Sequence, residues 1–174
     1  MGKSGKEGTT YEVENSKTGE ICAMKQFKKK KSIKTFMKEV KMQEKAGPLA
    51  PAVKYYCEEP PRLVMEKMNK TLSELIEEQK RKLTDEQQYN LIKLSRDMDE
   101  RQVYHNDPNP LNIMTDMDGN FKYIDYGMSI NKPANKTNIK SLKTVFYGGM
   151  QGLVTRKIIP SDNIKIINEE LSKL

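Results

Sequence analysis

Three oxygen-bearing side chains are spaced in a way that suits phosphate chemistry. Asp107 and Asn112 are 5 residues apart, and Asp125 follows Asn112 by 13 residues at the end of an apolar stretch. Phosphoryl transfer needs an acceptor beside the incoming hydroxyl group and oxygen ligands for Mg²⁺ near the transferred phosphate. Asp107 has the chemistry of that acceptor, and Asn112 and Asp125 have the chemistry of the metal ligands.

A predicted hairpin would bring two of these side chains together. Between Asn112 and Asp125 lie a short apolar run, the turn residues Asp116–Gly119 and the alternating run Phe121–Ile124. This pattern is typical of two short strands joined by a tight turn, which returns its ends to one place. The simpler alternative is that the Asp and Asn residues only cap turns and that His105 is a core histidine.

The first third of the chain is predicted to be rich in strands. Thr10–Val13 and Ile21–Phe27 have strand patterns, and Asn15–Gly19 between them supplies turn residues, so a hairpin is expected. The other elements expected here are a helix through Ile33, Phe36, Met37 and Val40 that stops at Gly47-Pro48, and strands near Val53–Tyr56 and Leu63–Met65.

The rest of the chain is predicted to be mainly helical. Thr71–Glu74 and Thr84–Gln87 each have the pattern of a capping box, which marks the start of a helix. Helical periods recur near Ile139–Phe146 and Ile164–Leu171, separated by Gly148-Gly149 and Pro160.

The order of these motifs resembles that of the eukaryotic-like protein kinases. In that family a catalytic loop H-R-D-x-x-x-x-N precedes the motif D-F-G, as His105–Asn112 precedes Asp125-Tyr126-Gly127 here. Ile21–Lys25 resembles the V-A-I-K strand of the family, and Phe36–Val40 resembles its regulatory helix. Leu63–Met68 resembles the strand and hinge that contact adenine.

The resemblance implies an α+β fold, a miniature protein-kinase bilobe. A strand-rich N-lobe would extend to about residue 65, a hinge would cover about 66–70, and a truncated, mainly helical C-lobe would cover 71–174. Only 47 residues follow Gly127, without an Ala-Pro-Glu motif, so most of the usual substrate-docking lobe is expected to be missing. The abbreviated architecture and the phrase Asn109–Met114 look most like the small serine/threonine kinases of large DNA viruses.

The resemblance also implies roles in the transfer of the γ-phosphoryl group of ATP to serine or threonine hydroxyl groups. Asp107 would orient the hydroxyl group and accept its proton, and Asn112 and Asp125 would hold Mg²⁺. Lys25, steadied by Glu39, would position the α- and β-phosphates.

A second glutamate leaves the partner of Lys25 open. Glu39 lies on the flank of the apolar stripe of its predicted helix, whereas Glu44 lies at a helical angle nearer that stripe. We favour Glu39 because it is correctly placed ahead of the next strand.

Other expected nucleotide contacts are less specific. Gly2, Gly5 and Gly8 resemble a phosphate-covering glycine loop, although their spacing G-x-x-G-x-x-G differs from the G-x-G-x-x-G of the family. Residues expected at the adenine pocket are Met65, Glu66 and Met68.

Two departures from the family pattern bear on activity. Asn106 replaces the arginine of H-R-D, so the usual basic group for an activation-loop phosphate is missing. Asn109 occupies the position where serine/threonine kinases have a phosphate-contacting lysine. Two other functions therefore stay open: a small-molecule phosphotransferase of the aminoglycoside or choline kinase type, and a pseudokinase that binds a nucleotide or a partner without transfer.

The amino-acid composition bears on the cellular location, the disulfide bonds and the binding partners of the protein. No stretch approaches the roughly 20 apolar residues of a membrane span, and the N-terminus lacks the apolar core of a secretory signal, so an intracellular, cytoplasmic protein without membrane contact is expected. Cys22 and Cys57 are too few for a disulfide framework. The net charge of +7 and the run Lys28–Lys31 allow nucleic-acid binding but favour a solvated surface, so protein substrates are the expected partners.

Overall fold

The computed structural model describes residues 2–174. Within this range nine strands and five α-helices follow the mixed order expected of an α+β fold. The strands are β1 (Lys3–Ser4), β2 (Gly8–Glu14), β3 (Ile21–Phe27), β4 (Val53–Glu58), β5 (Pro61–Glu66), β6 (Val103–Tyr104), β7 (Ile113–Thr115), β8 (Phe121–Tyr123) and β9 (Ile130–Asn131). The helices are α1 (Ile33–Ala46), α2 (Leu72–Glu78), α3 (Asp85–Glu100), α4 (Asn138–Tyr147) and α5 (Lys165–Ser172).

The N-terminal part is a five-stranded antiparallel sheet in the order β1-β2-β3-β5-β4. The predicted hairpin of β2 and β3 is confirmed, with Thr10 opposite Lys25. Its turn forms because the Asn15 side-chain oxygen accepts hydrogen bonds from the backbone N–H groups of Lys17 and Thr18. Gly19 then adopts a φ of 73°, which glycine reaches without steric cost.

Helix α1 packs against this sheet and has the predicted limits. The Ser32 side chain accepts a hydrogen bond from Thr35 N–H at its N-terminus, and Gly47 ends it with a φ of 57°. Phe36 and Val40 join Phe27 and Leu63 in a small core between helix and sheet. The Phe27 and Phe36 rings meet edge to face with centroids 5.1 Å apart.

The C-terminal part is mainly helical and has the larger core. Both predicted capping boxes are present, since Thr71 and Glu74 exchange hydrogen bonds at the start of α2 and Thr84 and Gln87 do so at the start of α3. Helices α4 and α5 confirm the helical periods of the last stretch. The apolar face of α3, including Leu91 and Met98, is buried against these elements.

Two short antiparallel strand pairs complete the fold. Strands β7 and β8 form the predicted hairpin, with Ile113 opposite Tyr123. The pairing of β6 with β9 was not predicted. Each of these strands has two residues, which is too short for an alternating pattern to show in the sequence.

Candidate active site

A cleft of about 570 Å³ lies between the sheet and the helical part. Its walls carry charged groups from β3, α1 and the segment after β8, and the side chains that line it include most of the residues singled out from the sequence. These residues are Lys25, Glu39, Met65, Glu66, Met68, Asn112 and Asp125.

Lys25 and Glu39 form an ion pair in this cleft. The Lys25 Nζ lies 2.9 Å from Glu39 Oε1, and the Glu39 side chain is only 2% exposed. Burial by itself lowers the pKa of Lys25, but the charges of Glu39, Asp125 and Glu7 outweigh it and raise the pKa. Lys25 is therefore a protonated cation that faces the cleft. Glu44 lies exposed on α1, so the structure pairs Lys25 with Glu39.

Asp125 lies on the same wall of the cleft. Its Oδ1 is 3.5 Å from Lys25 Nζ and accepts a 3.4 Å hydrogen bond from Gly127 N–H. Its φ of 62° is in the left-handed region, which Asp and Asn tolerate better than most residues. The side chain is 37% exposed, so its carboxylate remains accessible from the cleft.

The β7–β8 hairpin brings Asn112 next to the Asp125 segment. Ile124 N–H donates a 2.9 Å hydrogen bond to the Asn112 carbonyl oxygen, which joins the two ends of the hairpin. The Asn112 side-chain amide donates to Asp107 Oδ2 and to the Asp107 carbonyl oxygen, at 3.0 Å each. Asp107 is exposed and does not line the cavity itself, so its carboxylate is held beside the cleft by Asn112.

Oxygen donors for a divalent cation are thus available on one side of the cleft. The Asn112 side chain uses its nitrogen toward Asp107, which leaves its oxygen for a cation, and the Asp125 carboxylate is accessible nearby. Carboxylate and amide oxygens are the ligands that Mg²⁺ prefers. The donor set therefore fits the metal expected from the sequence. Glu7, Glu39 and Asp125 also bring carboxylate oxygens within 4.8 Å of one another, and Lys25 and Lys31 form ion pairs with this group.

Two buried residues, His105 and Asn138, hold the backbone that precedes Asp107 in place. The Asn138 side-chain oxygen accepts a 3.0 Å hydrogen bond from His105 N–H, while its nitrogen donates to Asp99 Oδ1 and to the Val103 carbonyl oxygen, at 2.7 Å each. His105 is fully buried, and its ring stacks on Tyr123 at a centroid distance of 4.8 Å. These contacts indicate an architectural role for His105.

His105 is expected to make the stability of the protein depend on pH. Burial lowers its pKa, and the hydrogen bond to the Ile124 carbonyl oxygen and the charges of Asp125 and Asp107 offset this effect only in part. The unfolded chain therefore binds a proton more readily than the folded one as the pH falls below about 6.5. The free energy of unfolding should decrease by up to about 1.4 kcal/mol per pH unit in that window.

Urea unfolding between neutral and mildly acidic pH measures this effect. His105 is the only histidine in the sequence, so His105→Gln is a direct control. The variant should start from a lower stability but lose less of it as the pH falls. Parallel pH profiles for the two proteins would contradict the prediction.

The three glycines near the N-terminus have different surroundings. Gly5 N–H donates a 2.7 Å hydrogen bond to the Gly8 carbonyl oxygen, which closes a tight turn between β1 and β2. A Cβ atom on Gly8 would lie 2.2 Å from the Gln26 carbonyl oxygen, so glycine is needed there for strand pairing. Gly2, Gly5 and Gly8 do not line the cavity, and their role in covering phosphate stays a prediction.

The residues expected at the adenine pocket, Met65, Glu66 and Met68, all line the cavity, but the polar groups of Glu66 are held by other parts of the protein. Glu66 N–H donates to the Ala52 carbonyl oxygen at 2.8 Å, and the Glu66 carboxylate is held by Lys122 at 2.8 Å. The backbone N–H group and the carboxylate of Glu66 are therefore both engaged within the protein. Met65 and Met68 contribute apolar groups to the lining of the cavity.

Two charged residues of the site were missed in the sequence analysis. Glu7 Oε2 lies 3.4 Å from the Nζ atoms of both Lys25 and Lys31, and Lys31 also pairs with Glu39. A Cβ atom on Gly127 would lie 2.9 Å from both Glu7 carboxylate oxygens, so the absence of a side chain at Gly127 lets Glu7 enter. Position in the glycine run is a weak signal for Glu7. Nothing distinguishes Lys31 from the other members of its lysine run.

The ion-paired cleft lies between a strand-rich part and a mainly helical part, as expected from the resemblance to the protein kinases. The sequence model of the protein kinase domain matches residues 1–150. The chain therefore belongs to the protein kinase family, which supports phosphotransferase activity on protein substrates. None of the curated proteins compared matches the chain. Among residues 2–174, no helix is long and apolar enough to cross a membrane.

Proposed function

We propose that this protein transfers the γ-phosphoryl group of ATP, with Mg²⁺, to serine or threonine hydroxyl groups of protein substrates. The observation that carries the proposal is the cluster of Lys25, Glu39 and Asp125 on one wall of the cleft, with Asp107 and Asn112 beside it. These are the groups that phosphoryl transfer needs for positioning and charge neutralisation.

Each side chain has a distinct part in the proposed reaction. Lys25, fixed by Glu39, binds the α- and β-phosphates, while Asp107 orients the substrate hydroxyl group and accepts its proton. Asn112 and Asp125 hold Mg²⁺, which neutralises charge on the phosphates. The carbonyl oxygen of Glu66 and the backbone of Met68 address the adenine edge, and Met65 borders the adenine pocket.

The identity of the molecule that receives the γ-phosphate of ATP tests this proposal. Protein incubated with γ-labelled ATP and Mg²⁺ should label serine and threonine in a panel of proteins, identified by phosphoamino-acid analysis. Small alcohols and aminoglycosides serve as alternative acceptors, and a reaction without acceptor reports hydrolysis. Preferential labelling of small molecules would replace the proposal with a small-molecule phosphotransferase.

One observation favours a pseudokinase as the second candidate. Asn109, at the position of the missing lysine, is engaged within its own loop, since its oxygen accepts from Leu111 N–H at 2.9 Å and its nitrogen donates to the Asp107 carbonyl oxygen at 3.3 Å. It therefore stabilises the loop and supplies no cation to phosphate. Nucleotide binding without transfer to any acceptor would support this candidate.

The proposal also covers the group of kinases that this protein most resembles and its location in the cell. The phrase Asn109–Met114 supports a likeness to the small kinases of large DNA viruses. Such a protein would act in the host cell cytoplasm or be carried in the virion.

Activity is expected not to require phosphorylation of residues 128–138, the segment that follows Gly127. Ser129 is fully buried and donates a hydrogen bond to the His105 carbonyl oxygen, so a kinase cannot reach it in the folded protein. Asn106 has no charge to pair with a phosphate, and its amide donates to the Met128 carbonyl oxygen. Thr137 is the remaining hydroxyl group of the segment, and it caps α4.

Phosphatase treatment of the bacterially made protein checks this expectation. Transfer activity should be unchanged by the treatment and by Thr137→Asn, which removes the hydroxyl group but keeps a good helix cap. An inactive Thr137→Asn protein, together with inactivation of the wild type by phosphatase, would reveal a phosphorylation switch.

A further inference from the structure

One face of α1 carries a stripe of lysines. Lys34, Lys38, Lys41 and Lys45 are separated by 4, 3 and 4 residues, which places all four on the same side of a helix. The opposite side buries the apolar residues that pack on the sheet. Like charges at these spacings repel one another and destabilise an isolated helix. The stripe therefore lowers the intrinsic stability of α1 slightly and concentrates positive charge on one exposed face.

The lysine stripe borders an open groove of about 730 Å³ between α1 and β9. Apolar side chains of both elements line it together with the lysines. The lining residues are Lys34, Met37, Lys38, Lys41, Met42, Lys45, Ile130 and Asn131. We call this feature the basic groove.

The positive charge of the basic groove is largely unpaired. Among residues 2–174, no carboxylate lies within 4.0 Å of Lys34, Lys38 or Lys41. Lys45 instead donates to Asn131 Oδ1 at 2.7 Å and to the Gln102 carbonyl oxygen at 3.1 Å, which ties α1 to β9. The groove thus has a fixed end at Lys45 and three lysines free to meet an anionic ligand.

The lining chemistry distinguishes between two kinds of anionic partner. Binding of single-stranded nucleic acid combines basic groups with aromatic side chains on which bases stack. Within the part of the chain that the structure describes, no aromatic residue lines the basic groove, whereas the half-buried Met37 and Ile130 offer apolar surface that suits protein side chains; Met42 also borders the groove but is mostly buried in the core. An acidic protein segment with apolar side chains matches both features.

We propose that the basic groove is a docking site for an acidic, leucine- or isoleucine-bearing segment of a partner protein. Its carboxylates would pair with Lys34, Lys38 and Lys41, and its apolar side chains would contact Met37 and Ile130. The groove lies away from the cleft, because Glu39 faces the cleft from the buried side of α1. Docking therefore goes beyond the proposed transfer reaction and does not depend on it.

Fluorescence anisotropy with synthetic peptides tests the docking site. The probe is a labelled glutamate-rich peptide with leucines at helical spacing, and the comparison peptide has serine in place of leucine. The groove variant is Lys34→Glu/Lys38→Glu/Lys41→Glu. The matched control is Lys28→Glu/Lys29→Glu/Lys30→Glu, which makes the same change of charge at exposed lysines outside the groove.

The groove variant should bind the leucine peptide at least about tenfold more weakly than the wild type, and the control less than about threefold more weakly. The serine peptide should bind the wild type more weakly than the leucine peptide. Lys34→Gln/Lys38→Gln/Lys41→Gln should show a smaller loss of affinity for the leucine peptide. This variant replaces the charge-reversal variant in the test if charge reversal unfolds α1. Circular dichroism identifies the folded variants.

Three results would overturn the proposal. Equal losses in the groove and control variants would show only diffuse electrostatic attraction. Equal binding of the leucine and serine peptides would remove the apolar contacts. Tighter binding of a single-stranded oligonucleotide than of the leucine peptide, lost in the groove variant, would assign the groove to nucleic acid.

Discussion

Asp107→Asn is expected to reduce phosphoryl transfer by about 10²-fold or more, which corresponds to about 2.7 kcal/mol of transition-state stabilisation. The carboxylate of Asp107 is exposed beside the cleft and is held there by Asn112. Asparagine has nearly the same shape but cannot accept the proton of the incoming hydroxyl group. The loss should therefore appear in the chemical step and leave folding almost unchanged.

Lys25→Met should cause a loss of similar size for a different reason, because it removes the cation that faces the phosphates. The buried carboxylate of Glu39 would keep Lys31 as a partner, so the variant is expected to fold. Lys29→Met is a matched control, since Lys29 is exposed and lies outside both the cleft and the basic groove.

Single-turnover assays at saturating ATP measure both losses, and thermal melts report folding. Wild-type transfer rates in folded Asp107→Asn would remove Asp107 from the proposed role. Equal rate losses in Lys25→Met and Lys29→Met would mean that the total positive charge of the protein, and not the position of Lys25, controls the transfer rate.

Removing the Asp125 carboxylate is expected to abolish most of the stabilisation by Mg²⁺ and ATP. A ligand at one hundred times its dissociation constant stabilises a native protein by about 2.7 kcal/mol. Asp125 should account for most of this effect because its accessible carboxylate is the charged metal ligand of the proposed site. For each of the two variants, Asp125→Ala and Asp125→Asn, the melting temperature should be nearly the same with Mg²⁺ and ATP as without them.

The two Asp125 variants together separate charge from backbone strain. Asparagine tolerates the positive φ of this position better than alanine, so Asp125→Asn should be the more stable of the two without nucleotide. ATP with a chelator controls for binding that does not involve metal. A nucleotide-induced shift as large in Asp125→Asn as in the wild type would contradict the metal assignment.

Most secondary structure could be predicted because its signals are local. The capping boxes at Thr71 and Thr84 act within a single helical turn, and the β2–β3 hairpin depends on turn residues next to the strands. The pairing of β6 with β9 could not be predicted, because two-residue strands show no periodic pattern and their partners are distant in the chain.

Some features of the candidate site likewise follow from local sequence, whereas others depend on the tertiary structure. The spacing of Asp107, Asn112 and Asp125 was readable in the sequence, because a single hairpin is enough to bring the ends of this segment together. Their order along the chain indicated the protein kinase family together with the motif-like segments Ile21–Lys25, Phe36–Val40 and Leu63–Met68.

The partners of the charged groups depended on how α1 docks on the sheet. Glu39 and Glu44 are both plausible on the helix, and only packing turns Glu39 toward Lys25 while leaving Glu44 in solvent. Packing likewise brings Glu7 and Lys31 to this pair from segments that have no recognisable motif. Such contacts join residues far apart in sequence, and a side chain's type does not specify which distant group will neutralise its charge once it is buried.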